Sequence, residues 1–170
     1  MTQRDLELQN LIDEAAIRRL LANYPRAIDR QDFTLLASLF HPDAIADYGV
    51  YNGSASGFVE WERVVSKPGV HWTHHNGTQT IDIEGDIAQA ETYCIALCRQ
   101  GAPGEAGYEQ EIFLRVRYLD RVEKRNGEWR IAHRRVVFAP CYIADAAEPF
   151  PLPPETFLDA GYPEDRVYKR

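Results

Sequence analysis

Two pairs of alternating runs, each joined by a tight-turn signal, constrain this chain more than any other feature. Residues 70–83 and 87–99 alternate across Glu84-Gly85-Asp86, and residues 109–124 and 128–139 across Asn126-Gly127. A period of two sends successive side chains to opposite faces of a strand. Asn-Gly supplies the two positive-φ positions that a two-residue hairpin turn demands. The second half is therefore predicted to be a long antiparallel sheet, and such a sheet needs one face covered.

The first half offers the cover. Residues 9–30 read as an amphipathic helix in which Ile17, Leu20, Leu21, Tyr24, Ala27 and Ile28 recur at spacings of three and four. Pro25 is predicted to kink it, because proline lacks the N–H for the preceding turn. Asp32 is a cap for a second helix with Phe33, Leu36, Leu39 and Phe40 on its apolar face. His41-Pro42-Asp43 reads as a stop, and residues 44–51 as a short strand ended by Asn52-Gly53. Ser56 is predicted to cap a third helix, with Phe58, Trp61, Val64 and Val65 on one face and Lys67-Pro68-Gly69 as its end. Gly101 to Gly107 reads as a loop. Helices first and strands after imply an α+β fold of one domain over residues 1–140. Residues 141–170 hold several prolines among Phe150, Phe157, Tyr162 and Tyr168. That is too aromatic for a disordered tail and implies an arm packed on its own domain or on a neighbouring subunit.

Charge and apolar runs exclude some functions. The formal net charge of −7 argues against a nucleic-acid or anionic-membrane surface. No apolar run reaches the roughly 18 residues of a membrane span. The polar, acidic N-terminus does not read as a signal peptide. Cys94 and Cys98 lie four residues apart on one predicted strand, too far for a disulfide. Reduced thiols in a cytoplasmic protein are the simplest expectation.

Chemistry concentrates near His71-Trp72-Thr73-His74-His75-Asn76. On a strand His71, Thr73 and His75 share one face and His74 takes the other. A histidine in an apolar pocket accepts a proton near neutrality if a carboxylate fixes its tautomer. Asp29, at the end of the first helix's apolar stripe, is the candidate partner; a solvated helix-end aspartate is the plainer reading. Tyr24 lies five residues earlier, about 140° away on a straight helix, so its place beside Asp29 depends on what Pro25 does. A zinc site from His71 and His75 is disfavoured, since strand spacing is not that of the helical motifs. His41 reads as structural. On the last strand Trp129, Ile131, His133 and Arg135 alternate with Arg130, Ala132, Arg134 and Val136. Val136 and Phe138 continue an apolar face that takes in Arg134, and an arginine there needs a partner or an anion.

Four segments, taken in order, resemble the SnoaL-like family of the nuclear transport factor 2-like superfamily. They are Ala15-Ala16-Ile17-x-x-Leu20 with Asp29, Leu39-Phe40-His41-Pro42-Asp43-Ala44, His71-x-x-x-His75-x-Gly77-Thr78, and Gly127-Glu128-Trp129-x-Ile131-x-x-Arg134-Arg135. The nearest kin by these motifs are cofactor-free lyases: scytalone dehydratase, hexachlorocyclohexane dehydrochlorinase and the bile-acid 7α-dehydratases. The resemblance implies a cone-shaped α+β barrel, a curved antiparallel sheet wrapped by three N-terminal helices around a deep apolar pocket. It matches Asp29 and His75 to the catalytic dyad, Arg134 to a pocket arginine, and Tyr24 to the bile-acid dehydratases' tyrosine. His74, beside His75, competes for the role of base; the Gly77-Thr78 spacing favours His75. Tyr48, His71, Leu114, Tyr118 and Phe138 are the candidate substrate-binding residues.

The implied activity is elimination, of water or of formaldehyde, from a small hydrophobic cyclic or aromatic hydroxylated substrate. No metal or organic cofactor is implied, and a homo-oligomer, a trimer before a dimer, is expected. An isomerase or polyketide cyclase of the same fold is the alternative, and a non-catalytic ligand-binding module a further one.

Overall fold

The computed structural model describes residues 2–66, 70–100, 110–147, 151–153, 156 and 160–169. Helix α1 spans Gln3–Asp29 and begins at a capping box in which Thr2 and Asp5 satisfy each other's backbone N–H groups. Ile17, Leu20, Leu21, Tyr24, Ala27 and Ile28 form its buried stripe. Pro25, where a kink is expected, lies inside α1, which continues through it to Asp29. Proline leaves the carbonyl four residues back without its helical donor, and that carbonyl, Leu21 O, accepts instead from Asn76 Nδ2 at 3.4 Å.

Asp32 caps α2 (Phe33–Ser38) by accepting from the Leu35 N–H at 2.9 Å. Strand β1 (Phe40–Asp47) begins earlier than the sequence suggested, and His41-Pro42-Asp43 lies inside it rather than ending a helix. The short β2 (Asn52–Ser54) pairs back on it. Helix α3 (Ala55–Val65) is capped by Ser54 rather than Ser56 and buries Ala55, Phe58 and Val59. Val64 is exposed, so the face drawn through Val64 and Val65 is not the inner one. The stops expected at Lys67-Pro68-Gly69 and the loop at Gly101 to Gly107 lie outside the described residues.

The two hairpins form as the turn signals require. Strands β3 (His71–Glu84) and β4 (Ile87–Gln100) turn at Gly85, whose φ is +60°. Strands β5 (Gln110–Arg125) and β6 (Glu128–Phe138) turn at Asn126 and Gly127, with φ of +54° and +82°. A last strand, β7 (Tyr142–Asp145), pairs with β5, so the sheet continues past residue 140. The strand order is β2-β1-β6-β5-β4-β3 with β7 off the path. The fold is α+β as expected, a curved sheet with three helices, but the sheet is unclosed and mixed, because β1 runs parallel to β6. A chain that leaves α2 and enters β1 beside the last long strand arrives in that strand's direction, which hairpin arithmetic alone does not reveal.

The C-terminal segment meets the end of α1. The Tyr162 N–H donates to Arg30 O at 2.6 Å, Arg30 pairs with Asp165 at 3.3 Å, and the Arg26 guanidinium lies over the Tyr168 ring. Near the middle of α1, Asp13 accepts from Lys124 Nζ and Trp129 Nε1, both at 2.8 Å, and so fixes the helix to the β5–β6 hairpin.

Candidate active site

Asp29 reaches β3 from the last turn of α1, and the histidine it meets is His74. His74 Nδ1 lies 2.6 Å from Asp29 Oδ1, and the His74 backbone N–H donates to Asp29 Oδ2 at 2.9 Å. The two side chains are 9% and 12% exposed. An ionised aspartate only accepts, so the ring carries its proton on Nδ1 and Nε2 is left as its basic atom.

The expected pairing of Asp29 with His75 is therefore corrected. His75 and His71 are exposed on the opposite face of the sheet. There His75 lines a groove of about 590 Å³ with Tyr93, Ile95 and Arg117. Strand parity correctly grouped His71 with His75 and set His74 apart, but the Gly77-Thr78 spacing favoured the set that faces away from Asp29. The cause is a bulge in β3: Asn76 opposes Cys94 and Gln79 opposes Thr92, three residues of advance against two. Counting back by twos from Ile81 and Ile83 turns His75 inward; the extra residue at Gly77-Thr78 turns Asn76, His74 and Trp72 inward instead. Gly77 inside an alternating run was the signal for that bulge. His71 is likewise no pocket residue, and Trp72 holds the corresponding inner position.

His74 lines a cavity of about 110 Å³ together with Tyr24, Tyr48, Trp61, Glu62 and Trp72. Leu114, Tyr118 and Phe138 line it too, so four of the five expected substrate-binding residues meet there. Tyr24 sits edge-on to His74, with ring centroids 6.3 Å apart, and edge-on to Tyr118 at 5.4 Å. The offset of Tyr24 from Asp29 is no obstacle, because Tyr24 faces into the cavity while Asp29, at the helix end, reaches His74 from the side.

Arg134 is fully buried and lies behind the Tyr24 and Tyr118 rings that line the cavity. It makes a two-pronged pair with Asp120, Nε to Oδ1 and Nη2 to Oδ2, both at 2.7 Å. Its guanidinium carbon stands 4.0 Å from the Tyr24 ring centre and 4.4 Å from that of Tyr118, a cation held between two aromatic faces. Arg134 Nη1 and Tyr48 Oη are buried without a hydrogen-bond partner. A bulge in β6 places Arg134 here: Ile131 opposes Val122 and His133 opposes Arg121, which inserts Ala132. Trp129, Ile131 and Arg134 are all buried as a result. Asp120, which neutralises Arg134, escaped the sequence reading; it is a carboxylate at an inward position of β5, between buried Tyr118 and Val122.

Burial sets the protonation of the phenols. It pushes Tyr24 and Tyr118 well above the usual tyrosine value and Tyr48 up to about 12, with Arg134 pulling each of them back in part. All three phenols stay protonated near neutrality; Tyr118 Oη donates to Cys94 Sγ at 3.5 Å, and the Tyr48 hydroxyl keeps its proton to give. Burial also raises Glu62, against the opposing pull of its hydrogen bond from Ser66 and of nearby His74. Elsewhere, His41 is a satisfied structural ring, its Nε2 2.9 Å from Glu123 O. Among the described residues no cluster of three or more His, Cys, Asp or Glu side chains is placed to hold a metal ion. The three cysteines are free, and no helix among the described residues is long and apolar enough to cross a membrane.

A helix-wrapped open sheet around a small, mostly apolar cavity, with a histidine–aspartate pair on one wall and a clamped arginine behind its aromatic lining, defines a class of small α+β pocket proteins. Residues 9–135 match the SnoaL-like domain, and the chain belongs to that family. An uncharacterised protein of Mycobacterium tuberculosis is 28% identical over 133 residues, covering 76% of this chain and 87% of its own length. Hexachlorocyclohexane dehydrochlorinase LinA-type3 from Novosphingobium barchaimii superimposes with a TM-score of 0.71 at 20% identity, over 87% of this chain and 99% of that one. A scytalone dehydratase-like protein from Novosphingobium aromaticivorans does so with a TM-score of 0.68 at 20% identity, over 88% and 97%. At these identities the structural matches establish the fold.

Proposed function

We propose that the chain is a cofactor-independent lyase that eliminates water, or formaldehyde, from a small hydrophobic cyclic or aromatic hydroxylated compound. The observation that carries this reading is the buried His74–Asp29 pair on the wall of an apolar cavity. In the proposed mechanism His74 Nε2 removes a proton from carbon, and Asp29 holds the tautomer and stabilises the imidazolium that forms. Tyr24 donates to a carbonyl or to the departing oxygen. Arg134, with Nη1 unpartnered, stabilises charge developing at that oxygen, at no reorganisation cost because Asp120 and two aromatic rings already fix it. The base is His74 rather than His75, for the same reason that His75 faces the other side of the sheet.

The cavity narrows the substrate class. An apolar cavity of about 150 Å³ holds a benzene; at about 110 Å³ this one excludes a steroid, and a single-ring compound enters only if the side chains lining it move outward. Apolar walls with a few convergent polar groups suit such a ligand. The kinship of the fold with a dehydrochlorinase and a scytalone dehydratase-like protein supports elimination chemistry; the tyrosine at position 24 supports an oxygen leaving group.

The three protonated phenols around Arg134 favour a second reading, an isomerase that returns the proton to another carbon. Mass spectrometry on single-ring hydroxyketones and hydroxymethyl phenols separates the two. Loss of water or formaldehyde, abolished in His74→Ala and Asp29→Asn, is the expected result. Deuterium uptake without loss of mass supports the isomerase, and a wild-type rate in His74→Ala overturns both readings.

The outer sheet face exposes Tyr93, Ile95 and Leu97 in a row along β4, with Leu119 beside them on β5. This row supports self-association, a trimer in our reading, and light scattering of Ile95→Glu against the unmodified chain tests it.

A further inference from the structure

Glu62 is the one carboxyl among the residues lining the cavity, and the mechanism above leaves it without a task. It lies four residues after Phe58 on α3, on the stripe that buries Ala55, Phe58 and Val59. A carboxyl on that stripe must enter the space the helix covers, and Glu62 lines the same cavity as His74 and Tyr24. Its hydrogen bond is from Ser66 Oγ to Oε2 at 3.3 Å, one turn further along the helix. The basic residue beside it, Arg63, is paired with Glu60 instead. Burial favours the protonated form of Glu62 and outweighs the opposing pull of Ser66 and His74.

We propose that Glu62 is the general acid of the site: it gives its proton to the leaving oxygen while His74 takes one from carbon. The assignment rests on the elimination reading above. In the step, the C–H electron pair becomes the new C=C bond as the proton passes to His74 Nε2. The C–O bond breaks towards oxygen, which takes the Glu62 proton and departs as water. Glu62 is then a carboxylate and His74 an imidazolium. Transfer of that proton from His74 to Glu62 across the emptied cavity restores both groups, so substrate goes to alkene and water with nothing else consumed. Tyr24, a far weaker acid in this burial, is left to hold the carbonyl oxygen. A base and an acid on separate walls, one on β3 and one on α3, divide the work in the way that paired groups of opposite protonation do.

The test separates this role from the base's. The probes are 3-hydroxycyclohexanone and 3-chlorocyclohexanone, single rings that give the same enone by loss of water, which needs a proton, or of chloride, which does not. Glu62→Gln should lower kcat on the hydroxyketone about 100-fold and leave the chloroketone within about twofold. His74→Ala should lower both. An equal loss on both probes in Glu62→Gln makes Glu62 a packing residue and overturns the proposal. Unchanged turnover in His74→Ala overturns the underlying lyase reading instead. A carboxyl titration by ¹³C NMR, on protein labelled at glutamate, needs no turnover. Glu62 should titrate above the ordinary glutamate range, with His74, Tyr24 and Cys98 as the titrating groups that influence it or are influenced by it across the cavity. An ordinary or depressed value overturns the proposal whether or not Glu62→Gln folds.

Discussion

Among the described residues two histidine–aspartate pairs of nearly equal length stand in opposite surroundings. His74 and Asp29 meet at 2.6 Å, almost buried, on a cavity wall. His133 Nε2 and Asp47 meet at 2.8 Å between β6 and β1, with side chains 32% and 30% exposed. Asp47 also receives Arg135 at 3.4 Å. Only the first pair has an apolar cavity before it and an aspartate that grips the histidine's own backbone N–H. Water reaches the second pair and competes for both partners, and a neighbouring arginine shares its carboxylate. The pairing motif is therefore common chemistry; burial and the adjoining space make one instance of it a candidate site.

Activity gives the largest test of that difference. His74→Ala should lower the elimination rate by about 10²–10⁴-fold, whereas His133→Ala should leave it within error, both followed by enone absorbance. Equal losses would mean that the open pair also matters to turnover and that burial is not what distinguishes the two.

Stability gives the next. Asp120→Asn leaves the Arg134 guanidinium buried and without a full counter-charge, a change that costs about 3–5 kcal/mol where buried pairs have been broken. Chemical denaturation should show most of that loss. Arg125 and Asp43, a pair of similar length, are mostly solvated, and Asp43→Asn should leave the denaturation midpoint where it was. A small effect from Asp120→Asn would show that Tyr24 and Tyr118 hold the cation without the carboxylate's help.

The same contrast explains what was legible in the sequence. Local rules identified the hairpins at Gly85 and at Asn126-Gly127, the Asp32 cap and the inner stripe of α1, because each is decided by neighbours in the chain. Asp29, Tyr24 and Arg134 could be singled out as well, since a polar group on an apolar stripe is visible as an exception. His75 was preferred to His74 on its spacing to Gly77-Thr78, and that spacing says nothing of the bulge there, which decides the side of the sheet each ring takes. The β6 bulge at Ala132 does the same for Arg134, which an unbroken alternation would have separated from Trp129 and Ile131. The parallel join of β1 to β6 and the rescue of Leu21 O by Asn76 are tertiary facts. Glu62 was within reach of the sequence, as the carboxyl four residues after Phe58, but the α3 face was drawn through Val64 and Val65 instead.

The smallest effect is expected at the open pair itself. The hydrogen bond from His133, with Arg135 in support and burial opposing, holds the Asp47 carboxyl below its usual value. A carboxyl held low in the folded state contributes stability above its unfolded pKa and loses it as the pH falls through the folded value. Solvent screens a group this open, so the contribution is under about 1 kcal/mol. Asp47→Asn should therefore lower the denaturation midpoint slightly at neutral pH, and the gap should begin to narrow below about pH 4, where the unfolded carboxyl takes up its proton, and close as the pH falls through the lower folded value. The elimination rate should not move. A midpoint loss as large as that of Asp120→Asn would show that partial exposure does not weaken this pair, and burial would no longer separate the two halves of the comparison.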